Sequence, residues 1–405
     1  MKVNKHYGNK FMLNIKKLIV IAILPLTFSN ATVAETNRLL DKDVNIKEQQ
    51  NNLDQQSKVK DPHILAEEYF NIGRSFFKLG KYQEAIKNFD LAIKYKPDYA
   101  ESYNNKGMTL NDLGNYQEAI KNFDLAIKYE SNFAEAYNNK GVSYKQLGKY
   151  QEAIMLYDMA IKYKPNFAAA YNNKGISYKQ LGKYQGAIEN YDLALKYNPQ
   201  YPEAYYNKGI SLMYLGLHQE AIENYDLALK YKPNYAESYN NKGISLLHLG
   251  RFREAIKSYD LATKYHYNHV MAYYNKAYAL NILGKYQEAV ENCDLAIKYD
   301  SNYVAAYLEK GIAFEKLGKH QKAIENYNLA IKYKADFAES YLEKGISLSN
   351  LRKHQQAKEN FTLALKYKSN LIEEYEKIIT GLRQLGNNRM ADEFEQKLKI
   401  LKDNL

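Results

Sequence analysis

The stretch Ala134–Phe167 reads AEAYNNKGVSYKQLGKYQEAIMLYDMAIKYKPNF. Tyr137, Gly141, Tyr144 and Leu147 recur at helical spacing, and so do Tyr150, Ala153, Ile154, Tyr157, Ala160 and Ile161. Each set lays one apolar stripe along a helix. Leu147-Gly148 puts a glycine where the first helix must end on a left-handed residue, so two antiparallel helices joined by a short turn are predicted.

Working outward, the same 34-residue unit begins at residues 66, 100, 134, 168, 202, 236, 270, 304 and 338, and a degenerate tenth unit fills 372–405. Numbered within the unit, position 8 is Gly, positions 20 and 27 are Ala, and position 24 is aromatic. The small residues let the helices approach and the ring fills the gap. Asn or Asp at position 33 with Glu at position 2 of the next unit (Asn132 with Glu135, Asp98 with Glu101) suggests a capping box at each first helix. Asp at position 25 four residues before Lys at position 29, as in Asp90 and Lys94, reads as a solvent-facing pair within one helix. Repeat seven departs with Ala277, Cys293 and Tyr267 in place of Gly, an aromatic and Pro, and a differently bent junction is expected there.

This pattern resembles the tetratricopeptide repeat, with an aromatic at positions 4, 11 and 24, Gly at 8, Ala at 20 and 27, and Pro at 32 in Pro97, Pro165, Pro199 and Pro233. Position 4 is Tyr rather than Trp throughout, and position 7 is Lys in eight units. The resemblance covers about 340 of the 405 residues and implies an all-α, right-handed superhelical α-solenoid: nine helix-turn-helix repeats over 61–371 and a C-terminal capping helix pair over 372–405. It also implies that stacked first helices line a concave groove that binds polypeptides.

The first 34 residues carry five Lys and no acid, then the apolar run Leu18–Phe28 and small residues before Glu35. These are the marks of a signal peptide cut after Ala34, with Met1 or Met12 as initiator, and the run is too short to span a bilayer. Export to the periplasm or beyond is therefore expected, without stable membrane insertion after cleavage. Loss of the segment lowers the formal charge from +11 to +6, a modest bias. Residues 35–60 are amide-rich without a sustained apolar period and read as a flexible polar tether.

No catalytic constellation emerges. The single Cys293 falls at a core position, and His218, His320 and His354 replace Tyr at position 17, where packing is expected. No enzyme activity, cofactor or metal is expected. Binding is another matter. Positions 2, 5, 6, 9, 12 and 13 share the first-helix face opposite the apolar stripe. Position 6 reads Asn71, Asn105, Asn139, Asn173, Asn207, Asn241 and Asn275, then Glu309 and Glu343. One amide per repeat can donate to and accept from an extended peptide backbone. The glycosyltransferase members of the family hold polypeptide on a similar ladder. Tyr206 and Tyr274 at position 5, Met213 and Tyr214 at positions 12 and 13, with Leu247, His248 and Tyr278, suggest an apolar recognition patch over repeats five to seven. The Lys column at position 7 is expected to cover the seam and reach water. The expected partner is a protein or peptide rather than nucleic acid. The alternatives are a helical-repeat RNA binder and a regulatory subunit of an envelope enzyme.

Overall fold

The computed structural model describes residues 30–56, 60–384 and 388–404, and they are helical with no strand among them. From repeat two to repeat nine every first helix covers positions 1–13, as in Ala134–Gln146, and every second helix covers positions 17–30, as in Tyr150–Tyr163. The chain divides between Pro165 and Asn166 into two compact units. The first holds a leading helix and repeats one to three. The second holds repeats four to nine and the pair Leu371–Gln384 and Asn388–Asp403.

The turn forms as the sequence predicts. Gly148 adopts φ +74°, and the Lys149 N–H donates to the Tyr144 carbonyl at 2.9 Å, closing the first helix. The corresponding residue of repeat nine is Arg352, which takes φ 60° with a side chain attached.

Position 8 has a packing reason for glycine. A Cβ on Gly141 would stand 2.6 Å from the ring of Tyr157, and one on Gly209 would stand 2.6 Å from Tyr225. The backbone of one helix rests directly on the aromatic of the other. Repeat seven solves the same contact in reverse: Ala277 brings the methyl, Cys293 supplies the small partner, and both are fully buried.

The tyrosines divide by position. At position 4 they stack on the tyrosine that ends the second helix of the same repeat, as Tyr137 on Tyr163 with centroids 5.5 Å apart. Their hydroxyls donate to the preceding loop: Tyr103 to the Pro97 carbonyl at 3.1 Å, Tyr205 to Pro199 at 3.3 Å, Tyr307 to Ser301 at 3.0 Å. A Trp there has no hydroxyl to make this bond. At position 24 the rings of Tyr191, Tyr225 and Tyr259 are completely buried, and burial raises their hydroxyl pKa.

Several expectations are corrected. Over residues 35–56 the expected flexible polar tether is replaced by a helix, Asn30–Gln56. Its Leu53 is buried against repeat one beside Leu65 and Tyr69, Asp54 accepts from the Tyr69 hydroxyl at 2.6 Å, and Asp43 pairs with Lys81 at 2.5 Å. Two apolar anchors, Ile46 and Leu53, suffice because the exposed end of repeat one supplies the rest of the contact. The signal segment lies, but for residues 30–34, outside the described residues. The capping box is absent: Tyr99 and Phe133 stand at the N-cap with no side-chain bond. Glu at position 2 instead reaches Lys at position 31 of its own repeat, as Glu135 with Lys164 at 2.6 Å and Glu339 with Lys368 at 3.1 Å. Nor does the junction into repeat seven differ. His266 has φ −137° and ψ 86°, against −136° and 88° at Asn198, and the Tyr267 carbonyl accepts from Tyr273 as the prolyl carbonyls do elsewhere.

Candidate functional site

Asp at position 25 does not pair along its own helix. It reaches Lys at position 7 of the next repeat: Asp90 with Lys106 at 2.7 Å, Asp124 with Lys140 at 2.6 Å, Asp192 with Lys208 at 2.6 Å, Asp226 with Lys242 at 2.5 Å. The lysines expected only to solvate the seam therefore carry an ion pair to the preceding repeat in repeats two, three, five, six, seven and eight, while Lys94 lies over the Tyr95 ring. Repeat eight has Asn328 at position 25, and the lysine above it, Lys344, has its pKa lowered by burial.

Asn71 is exposed, and from Asn105 to Asn275 the asparagine column is half-buried, with four of its members bonded to the preceding repeat. Asn139 Nδ2 donates to Asn104 Oδ1 at 3.0 Å in the first unit. In the second unit Asn207 donates to Asn172 Oδ1 at 3.3 Å, Asn275 to Asn240 Oδ1 at 3.0 Å, and Asn241 to the Tyr206 hydroxyl at 3.2 Å. Position 6 of repeats three, five, six and seven thus hangs on position 5 of the repeat before. Position-5 asparagines, read from the sequence as open polar surface, are buried: Asn240 is 2% exposed. Asn105 bonds back to the Glu101 carbonyl in its own helix, and Asn173 occupies the same half-buried position in repeat four.

The apolar patch separates into two settings. Tyr206 and Tyr274 tuck against the aromatic that closes their own repeat, Tyr206 on Tyr235 at 4.8 Å and Tyr274 on Tyr303 at 5.5 Å. Burial pushes the Tyr206 hydroxyl up to about 12, with Glu237 adding to the effect and the Asn241 bond opposing it. Met213 is packed against the core of Leu212 and Tyr225. Tyr214 is different: it is 61% exposed and lies flat on Tyr184, centroids 5.0 Å apart. One repeat on, His248 stacks the same way on His218 at 4.5 Å, and burial followed by the neighbouring ring lowers the His218 pKa. His320 instead meets the Glu315 carboxylate at 2.8 Å.

Sequence reasoning missed the far end of the column. Glu309 and Glu343 are each 6% exposed. Lys397 of the last helix forms an ion pair with Glu343, and Asn281 donates to Glu309 at 2.8 Å. Burial raises Glu309 to about 7, against the pull of Asn281 and Lys397. The switch from amide to acid at position 6 was the available signal, but its counter-charge stands 54 residues away from Glu343. Among the described residues there is no group of three or more His, Cys, Asp or Glu placed to hold a metal, and no helix long and apolar enough to cross a membrane.

Models of the tetratricopeptide repeat match residues 134–167 and 202–235, 156–189, 240–303, and 304–337 with 338–371. A TPR repeat model matches 73–110, 107–148 and 175–216. No curated protein matches the chain. Among solved structures it is similar to YrrB, a TPR protein with an unusual peptide-binding site, at 22% identity over 45% of this chain and 95% of that one, TM-score 0.38. It is also similar to pilF of Pseudomonas aeruginosa, at 17% identity over 53% and 97%, TM-score 0.48. The Cut9-Hcn1 hetero-tetramer of the APC/C matches at 13% identity over 91% and 83%, TM-score 0.49.

Proposed function

Since the chain belongs to the tetratricopeptide repeat family and is built as a protein-interaction scaffold, we propose that it is exported and that its first-helix face binds extended polypeptide segments through the asparagine column. The observation that carries the reading is the bonding of that column. Asn139 and Asn241 each donate once, to the preceding repeat, and accept once, from Asn138 and Asn240. A carboxamide has two N–H donors and two acceptor lone pairs, and these bonds use one of each. The side chains are thereby held in place before a ligand arrives, which lowers the ordering cost of binding. Tyr214, exposed at the turn of repeat five, supplies an apolar anchor beside the column. Export rests on the lysine-rich start and the Ala34-Glu35 junction.

The peptide reading is favoured over RNA because the position-7 lysines are engaged by aspartates, as Lys208 by Asp192 and Lys276 by Asp260. A phosphate backbone needs those ammonium groups. The test is to pan a displayed random-peptide library against residues 35–405, then measure the enriched peptides against Asn207→Ala, Asn241→Ala and Tyr214→Ala beside thermal unfolding. Weaker binding by folded variants supports the reading. Unchanged affinity in all three overturns it, as does tight RNA binding at physiological ionic strength.

A further inference from the structure

We propose that the first-helix face of repeats seven to nine is a receptor for a helix that buries a lysine or arginine, and that the chain's own C-terminal helix, Asn388–Asp403, occupies it as a built-in competitor. This goes beyond the asparagine column, whose members in repeats three to six it leaves untouched. Position 6 is Asn through repeat seven and becomes Glu only in repeats eight and nine, and both carboxylates are buried. Lys397 answers them, paired with Glu343. Glu393, one turn earlier, pairs with Lys316 at 3.5 Å, and Met390 and Arg389, earlier still, line a cleft with Phe252, Asn281 and Tyr286. Residues at i, i+3 and i+7 of one helix thus face three successive repeats, the spacing by which a helix docks into a groove.

The docking side is chemically distinct from the side that folds the cap. Ala391, Phe394, Leu398 and Leu401 belong to the apolar core that joins Tyr375 and Ile379 of Leu371–Gln384 to Leu342 and Leu348 of repeat nine. Arg383 bonds Asp392 and Glu395, and Lys402 bonds Glu376, tying the two cap helices to each other. The docking side offers a cation to carboxylates, and any helix with the same cation competes for it. Two buried carboxylates facing one ammonium leave the receptor acidic. A guanidinium, which bonds two carboxylate oxygens at once, satisfies it at least as well.

The experiment titrates a fluorescein-labelled peptide of residues 388–404 into the full-length chain and into full-length Lys397→Ala and Lys316→Glu, read by anisotropy. Lys316→Glu sets a carboxylate against Glu393 at the surface, so it loosens the helix without disturbing the buried pair. It decides the matter alone if Lys397→Ala fails to fold. Both variants bind the peptide at least about tenfold more tightly than the parent chain, and the same peptide carrying Lys397→Ala binds them at least about tenfold more weakly. No binding to a folded variant, equal binding to parent and variants, or indifference to the peptide's lysine overturns the proposal. Panning on Asn207→Ala and Asn241→Ala reads a different surface, so failure of either reading is seen separately.

Discussion

Repeats five and six and repeats eight and nine have cores built on the same pattern, glycine against an aromatic ring, and differ in what runs along their first helices. In the former, each amide leans on position 5 of the preceding repeat, neutral group on neutral group, and the face stays half-open. In the latter, carboxylates at the same position are buried and need a cation from outside the repeat, which Lys397 brings. A neutral ladder is complete within the stack. A charged one is complete only with a further element laid upon it, because a buried carboxylate without a counter-charge is costly.

The largest effect that tests this contrast is Lys397→Met, expected to destabilise the C-terminal segment by about 3–5 kcal/mol by leaving buried acid unpaired. Chemical unfolding with exchange of the last helix as probe measures it. Adding Glu343→Gln should recover part of the loss, and a double variant as unstable as the single one would break the comparison.

Next comes pH. Glu309 has a folded pKa of about 7, above its unfolded value, so the fold favours its neutral form. Its contribution is full below about 4.5 and falls away as pH rises to about 7, a change on the order of 3 kcal/mol. Glu309→Gln removes that slope. Stability profiles of parent and variant that stay parallel between pH 4.5 and 7 would refute the assignment. Beside Glu309 stand Lys397 and Glu343, whose charges act on it, and Tyr274, Tyr278, Cys293 and Tyr327, whose pKa values burial raises and its charge raises further.

The shared pattern gives the control. Gly243→Ala and Gly345→Ala each drive a methyl to 2.4 Å from an aromatic ring, Tyr259 and Phe361. Each should cost about 1–3 kcal/mol in calorimetry, the same in both regions. Unequal costs would mean that the regions differ in packing and not only in polarity.

The smallest effect is Asn241→Ala, which removes its bonds to Tyr206 and Asn240 and should cost about 1 kcal/mol of stability. The same change at Asn105, which bonds only its own helix, should cost less. Equal losses would show that the bonding between repeats adds nothing.

Much of this architecture was legible in the sequence. The 3.6-residue period, the glycine after Leu147 and the small residues at 8, 20 and 27 act within one unit, so one unit reveals them. What stayed hidden depends on a neighbour. Asp90 has a lysine four residues on and another sixteen on, and only the stacking of repeats selects Lys106 over Lys94. Position 5 seemed open because a helical wheel knows nothing of the next repeat, whose asparagine covers it. The leading helix escaped notice because its apolar residues show no sustained period, and Ile46 and Leu53 read as anchors only once repeat one is there to receive them.

The pairing of position 8 with position 24 also bears on how such a gene can change. Near-identical repeats invite crossovers between copies. In most of this chain an exchange falling between the two positions joins glycine to a ring and is silent in packing. Within repeat seven it would join Ala277 to an inherited Tyr or Phe, or a neighbour's glycine to Cys293. The first product carries a collision and the second a void. An exchange inside repeat seven therefore carries a packing cost that the same exchange elsewhere in the chain does not.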